Sequence, residues 1–169
     1  MSWFALYTRP RHEKKVYDQL VQKGVETFLP LIERVHQWKD RKKKVATPLF
    51  TSYVFIKIDL KDRYYSLQTH GVVRLVSFGG KPAPIPNWQI EQLKQVIKHP
   101  ETVQLEHYLR EGDWVRVTDG PFRDIKGRLK EWRGETRLVI NIDGIYQSAS
   151  FVIDKSLVEK IEPVKNNNY

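Results

Sequence analysis

The chain has 169 residues, 40% of them apolar and 12% aromatic, enough to bury a core in one ordinary domain or two small ones and to exclude a wholly disordered chain. Its 29 Lys and Arg against 20 Asp and Glu leave a formal net charge of +9, which solubility alone would explain if it were spread evenly and which suggests a polyanionic partner if it is confined to one part. The absence of cysteine excludes disulfides, thiolate metal sites and cysteine nucleophiles together.

Trp3 to Thr8 is rich in β-forming residues and stops at Pro10, so it reads as a strand. From about Arg11 to Lys23 the apolar positions Val16, Tyr17, Leu20 and Val21 fall on one helical face, and Gly24 supplies the stop. Thr27 to Trp38 and Val45 to Ile58 are long β-rich stretches around the run Lys39-Asp-Arg-Lys-Lys-Lys44, the pattern of a hairpin with a charged tip. Pro30 and Pro48 belong on edges or bulges of it, since proline donates no ladder hydrogen bond.

A short helix is expected from about Asp59 to Thr69, then a strand from Val72 to Phe78, the Gly79-Gly80 break and an extended Pro82 to Pro86. Asn87 is placed to cap a helix that carries Ile90, Leu93, Val96 and Ile97 on one face and ends at Pro100. The order is β-α-β-β-α-β-α, an α+β arrangement with helices against one antiparallel sheet. Residues 99–110 are polar, acidic and nearly free of glycine, and read as a tether or an extension of the helix. After them come five short β-like runs, Trp114–Thr118, Ile125–Trp132, Thr136–Ile142, Tyr146–Ile153 and Leu157–Ile161, spaced as in a small barrel. The expected organisation is therefore 1–98, a linker 99–110, a barrel 111–163 and a frayed tail 164–169.

Charge follows this division. Residues 1–98 hold 18 Lys and Arg against 8 Asp and Glu, whereas 99–169 hold 11 against 12. Two basic clusters, Arg9, Arg11, Lys14 and Lys15, and Arg41, Lys42, Lys43 and Lys44, lie in the first half, where together they can form one surface for nucleic acid. A lone basic run is more simply a solvated loop. Nothing points to an enzyme: His12, His36, His70, His99 and His107 show no metal-ligand spacing, and there is no Walker loop or G-x-S-x-G turn. No cofactor is expected. No apolar run approaches the roughly 20 residues of a membrane-spanning helix, and Met1-Ser-Trp-Phe-Ala5 lacks the features of a secretory signal. The expected location is cytoplasmic, with no membrane partner.

Gly112 to Leu129, with alternating Val115 and Val117, the turn Gly120-Pro121, and Gly127 where close backbone approach is needed, resembles a KOW motif. Trp3 to Tyr7, the basic helix, Pro48-Leu-Phe-Thr-Ser-Tyr-Val-Phe-Ile56, and Val72 to Phe78 followed by Pro84-Ile-Pro86 resemble the NGN domain of NusG-family transcription elongation factors. The compact length and Leu6-Tyr-Thr-Arg-Pro-Arg11 resemble the specialised RfaH-like paralogues.

The resemblance implies a monomeric bacterial elongation and antitermination factor that docks on the clamp helices of RNA polymerase through an apolar patch and raises processivity. The matching patch residues are Tyr7, Phe50, Tyr53 and Phe55. Read without the resemblance, Phe50 and Phe55 are core residues, while a tyrosine hydroxyl prefers a wet edge or a hydrogen-bond partner. By the same resemblance Arg9, Arg11, Lys14 and Lys15 contact non-template DNA, and Arg41 to Lys44 reach upstream duplex DNA or nascent RNA.

Two departures stand out. Asp62-Arg-Tyr-Tyr65 replaces the RfaH-like segment that touches the polymerase gate loop. Ile142-Asp-Gly144 replaces the Ile-Phe-Gly loop that meets a ribosomal protein or Rho, so a charge stands in for an apolar anchor worth on the order of 2 kcal/mol. The rival expectation is a KOW-containing RNA-binding or ribosome-associated protein that stacks bases on Trp114, Phe122 and Trp132.

Overall fold

The computed structural model describes residues 1–110 and 112–165. The expected domain edge at Glu111 and positions 166–169 of the expected tail lie outside the described residues. The chain forms two compact units, Met1–Ala83 and a second that begins at Pro84.

In the first unit, β1 (Ser2–Thr8) is apolar on both faces and lies inside an antiparallel sheet, as a doubly covered strand must. After α1 (Glu13–Gln22) comes β2 (Glu26–Phe28). The hairpin strands β3 (Leu31–Trp38) and β4 (Arg41–Pro48) follow, and then β5 (Tyr53–Ile58). Next are α2 (Arg63–Leu67), β6 (Val72–Leu75) and the small strands β7 (Ser77–Phe78) and β8 (Lys81–Pro82). The main sheet has the order β2-β5-β1-β6. Alternation along β1 and β5 sends Phe4, Leu6, Val54, Ile56 and Ile58 to one core cluster, which Val16 and Leu20 of α1 complete. Val21, expected on that face, is exposed. Gly24 ends the helix at φ +75°, a conformation that disfavours any residue with a Cβ.

The basic run corrects the hairpin expectation. Pairing continues to Trp38↔Arg41, so the turn is only Lys39-Asp40 and Arg41 to Lys44 are strand residues rather than a tip loop. The stretch expected to run unbroken from Val45 to Ile58 is cut at Leu49–Ser52, where Ser52 takes φ +65°. Hence β3–β4 form a separate two-stranded sheet while β5 joins β1. Pro48 sits at the end of β4, where the ladder loses no donor. The helix expected over 59–69 is a 3₁₀ turn (Leu60–Asp62) followed by the five-residue α2. The strand expected over 72–78 breaks between β6 and β7.

The second unit contains α3 (Asn87–Val96), β9 (Gln104–His107) and β10 (Trp114–Val117), then β11 (Lys126–Trp132), β12 (Glu135–Ile142), β13 (Gln147–Val152) and β14 (Val158–Lys160). They form one antiparallel sheet ordered β14-β10-β11-β12-β13-β9, six strands rather than the five expected. The sixth comes from the expected linker: residues 104–107 pair with β13 from Gln147↔His107 to Ser150↔Gln104. A polar strand forms here because its ladder partner supplies the hydrogen bonds that its side chains do not advertise.

The units also divide earlier than residue 98. Helix α3 belongs to the second, where Gln92 donates to Lys126 O at 2.9 Å and accepts from Lys126 N at 2.7 Å.

Gly127 allows the close approach expected of it. A Cβ there would lie 2.4 Å from Val139 O and 2.6 Å from Leu138 Cδ2, both in the neighbouring strand. Gly127→Ala is expected to destabilise the protein by about 1–3 kcal/mol through overpacking. A urea titration checks this, and a midpoint equal to wild type would contradict it.

Candidate functional site

The charge resides in the first unit. Its 83 residues carry 16 Lys and Arg against 7 Asp and Glu, the whole net +9, and the remainder of the chain is neutral. The helix-start cluster is exposed: Arg9, Arg11, Lys14 and Lys15 all face solvent. Arg11 takes φ +62° in the tight turn that feeds α1. Lys14 Nζ donates to Ala46 O at 2.6 Å and so ties the start of α1 to the base of β4. That contact ties the helix-start cluster to the strand whose other end carries Arg41 to Lys44. His12 packs near His70, with ring centroids 5.9 Å apart.

Glu13 is the exception among the charged residues here. It is buried at the first position of α1, and its Oε1 accepts from Ser52 N–H at 2.7 Å. Ser52 O in turn accepts from Thr8 N–H at 2.9 Å. The helix start thus holds the turn that delivers Tyr53 to the start of β5.

The four aromatic candidates separate. Phe50 and Phe55 have no exposed surface and meet edge to face at 6.2 Å, and Phe28 stacks on Phe55 at 6.1 Å. The phenylalanines are core, because the face of β5 opposite α1 is covered rather than open. Tyr7 and Tyr53 are half-buried cross-strand partners whose rings meet at 5.6 Å in a T-shaped contact. Burial raises the Tyr53 phenol above its ordinary value, Tyr7 adds to this, and Arg74 opposes it. Arg74, in register with Tyr7 from β6, holds its guanidinium 5.3 Å from the Tyr7 ring centroid. Tyr53, Tyr7 and Arg74 make a row across three strands. Sequence reasoning missed Arg74, although its register with Tyr7 depends on a pairing of strands some 65 residues apart that no local pattern announces.

The departures have distinct surroundings. Tyr64 and Tyr65 of α2 are exposed, with Arg63 over the first ring at 4.6 Å and Lys23 over the second at 5.0 Å. In the second unit Asp143 is committed internally. Its Oδ1 accepts from Tyr108 OH at 2.7 Å, and its Oδ2 accepts from Gln89 Nε2 at 2.9 Å. Burial and that hydrogen bond push the Tyr108 phenol well up. The three aromatics of the rival expectation are dissimilar. Trp114 is half-buried beneath Arg128 at 5.1 Å, and Phe122 packs on Phe151 at 4.2 Å. Trp132 alone of the three is exposed, between Lys130 and Arg133. No described helix is long and apolar enough to cross a membrane.

Comparison with known proteins agrees with this architecture. The family model described as "Transcription termination factor nusG" matches residues 1–94. Among curated relatives, the transcription termination/antitermination protein NusG of Thermus thermophilus is 28% identical over 168 residues, covering 85% of this chain and 91% of that one. The Campylobacter jejuni NusG is 29% identical, covering 95% and 97%. A solved structure of Thermotoga maritima NusG shares the fold, with a TM-score of 0.52 at 24% identity over 95% of this chain and 97% of that one. The family match takes in the basic helix, the hairpin and the tyrosine row together, and it covers more than half of the chain: this protein belongs to the NusG family of transcription factors.

Proposed function

We propose that the protein is an elongation and antitermination factor of the RfaH-like kind, acting as a monomer on RNA polymerase in the cytoplasm. The first unit docks on the polymerase clamp helices through the end of the sheet that carries Tyr7 and Tyr53, and its basic surface contacts non-template or upstream DNA. The observation that carries this reading is the placement of the entire net charge on the unit that also presents the tyrosine row. Half-exposed tyrosines combine apolar area with a polar tip, the composition of interface anchors. Arg9, Arg11, Lys14 and Lys15 supply salt-sensitive phosphate contacts that position the protein without reading sequence. Binding rather than turnover is the proposed activity.

Phe50 and Phe55 enter this reading as support for the strand that carries Tyr53, not as contact residues. Coupling to Rho or a ribosomal protein through Ile142-Asp-Gly144 is left out of it, because the Asp143 carboxylate is already held by Tyr108 and Gln89.

The test is retention of core RNA polymerase and of ribosomes on the immobilised full chain. Polymerase is expected on the resin, and Tyr53→Ala is expected to weaken its binding about tenfold or more, as truncation of an interface aromatic does. Reversal of Arg9 and Arg11 to Glu should weaken DNA binding and flatten its salt dependence. Ribosomes retained with polymerase left behind would favour the RNA-binding alternative, for which the exposed Trp132 between two cations is the best support. Polymerase binding unchanged in Tyr53→Ala would remove the tyrosine end of the sheet from the interface.

A further inference from the structure

The β3–β4 hairpin sorts its side chains in a way that its charge run alone does not reveal. Directly paired residues of an antiparallel ladder share a face, and successive residues alternate. The register therefore puts Arg34, His36, Trp38, Arg41 and Lys43 on one face. Glu33, Val35, Gln37, Lys42 and Lys44 lie on the other, and all ten residues are exposed. Trp38 is 61% exposed at the end of the ladder, directly opposite Arg41. Among the described residues, Arg34, Arg41 and Lys43 take part in no ion pair. The tryptophan face of the ladder carries no carboxylate, since Glu33 is on the opposite face and Asp40 is in the turn.

We propose that this face binds single-stranded DNA, with one base stacked on the Trp38 indole and neighbouring phosphates held by Arg34, Arg41 and Lys43. The proposal rests on the reading that the basic surface of the first unit contacts DNA, and it assigns the hairpin a distinct part in that contact.

Charge alone would serve duplex and single strand alike. The indole decides between them: in a duplex both faces of each base are occupied by its neighbours, whereas a single strand offers a free face for stacking. The distance from Arg34 to Trp38 along the strand is roughly 13 Å, room for a short run of nucleotides. DNA rather than RNA follows from the DNA contact on which this inference rests; because a 2′-hydroxyl can accept from the arginine and lysine donors of this face, oligouridylate is the probe that separates the two. The opposite face, with Lys42 and Lys44 but no aromatic residue, supplies attraction without stacking.

Fluorescence anisotropy of the full chain tests this, using labelled oligothymidylate, a duplex of the same length and oligouridylate at one salt concentration. Wild type is expected to bind oligothymidylate more tightly than the duplex. Trp38→Ala should weaken oligothymidylate binding by about 5- to 100-fold, while Trp38→Phe keeps most of it. Duplex affinity should stay within about twofold in both variants, and Lys42→Gln with Lys44→Gln should weaken both DNA probes equally. Because Trp38 is exposed, matched thermal melts are expected for all variants.

Oligothymidylate binding unaffected by Trp38→Ala, or a parallel loss of duplex binding, overturns the proposal while leaving DNA contact intact. Tighter binding of oligouridylate than of oligothymidylate overturns it in favour of RNA. Failure of folded wild type to bind either DNA probe overturns both this inference and the DNA contact on which it rests.

Discussion

Phe55→Ala is expected to lower the stability of the protein by about 3–5 kcal/mol, the range for truncating a fully buried phenylalanine. Its ring has no exposed surface and touches the rings of Phe28 and Phe50. Strand β5, which carries it, lies between β2 and β1 and has little freedom to collapse into the void. Phe55→Leu keeps most of the volume and should cost less than about 1.5 kcal/mol. Denaturant melts of the two variants check the prediction, and a wild-type midpoint for Phe55→Ala would return Phe55 to the surface. The result bears on function as well. Loss of a partner in Phe55→Ala reports a damaged sheet, so the docking surface must be tested at Tyr53 instead.

Arg137→Ala is the second large effect, expected to cost about 3 kcal/mol by stranding buried acceptors. Its side chain is only 4% exposed in β12. Nε donates to Ser150 Oγ at 3.0 Å, and Nη2 donates to Thr102 O at 2.6 Å and Ser150 O at 3.2 Å. Nη1 reaches Glu135, whose side chain is 57% exposed. The ion pair therefore adds little, since its acid sits in water, and Glu135→Gln should shift stability by under about 1 kcal/mol. The carbonyls matter more, because Thr102 belongs to the turn that leads into β9. Arg137→Met restores apolar volume without donors and should recover only part of the loss. Urea titration with amide exchange over 102–107 provides the measurement. An Arg137→Ala variant within about 1 kcal/mol of wild type would show that those acceptors find water at no cost.

Local signals in the sequence were strong where one residue decides one thing. Gly24 ended α1, and Gly127 was already a position of close approach. The β-rich runs of the second half appeared within a few residues of where they were expected. The misses share a cause of a different kind. Strand β9 has no alternation to display and exists because β13 lies beside it. The basic run became strand because a two-residue turn let its pairing with β3 continue, which moved four cations from a loop into two alternating rows.

The candidate site divides in the same way. Composition alone established that the chain has no cysteine chemistry and that its surplus charge lies in the first half, while Tyr7, Tyr53, Phe50 and Phe55 became the aromatic candidates through the resemblance of their motifs to the NGN domain. Hydropathy is nearly blind to whether such an aromatic is covered or open, because both situations favour the same residue types. Tertiary packing alone buried the two phenylalanines, left the tyrosines half-buried at one end of the β1–β5 ladder, placed Arg74 beside them and turned Trp38 toward solvent with Arg41. Charge is a property of the chain and can be summed from it, whereas exposure and cross-strand neighbours are properties of pairs of segments and exist only once those segments meet.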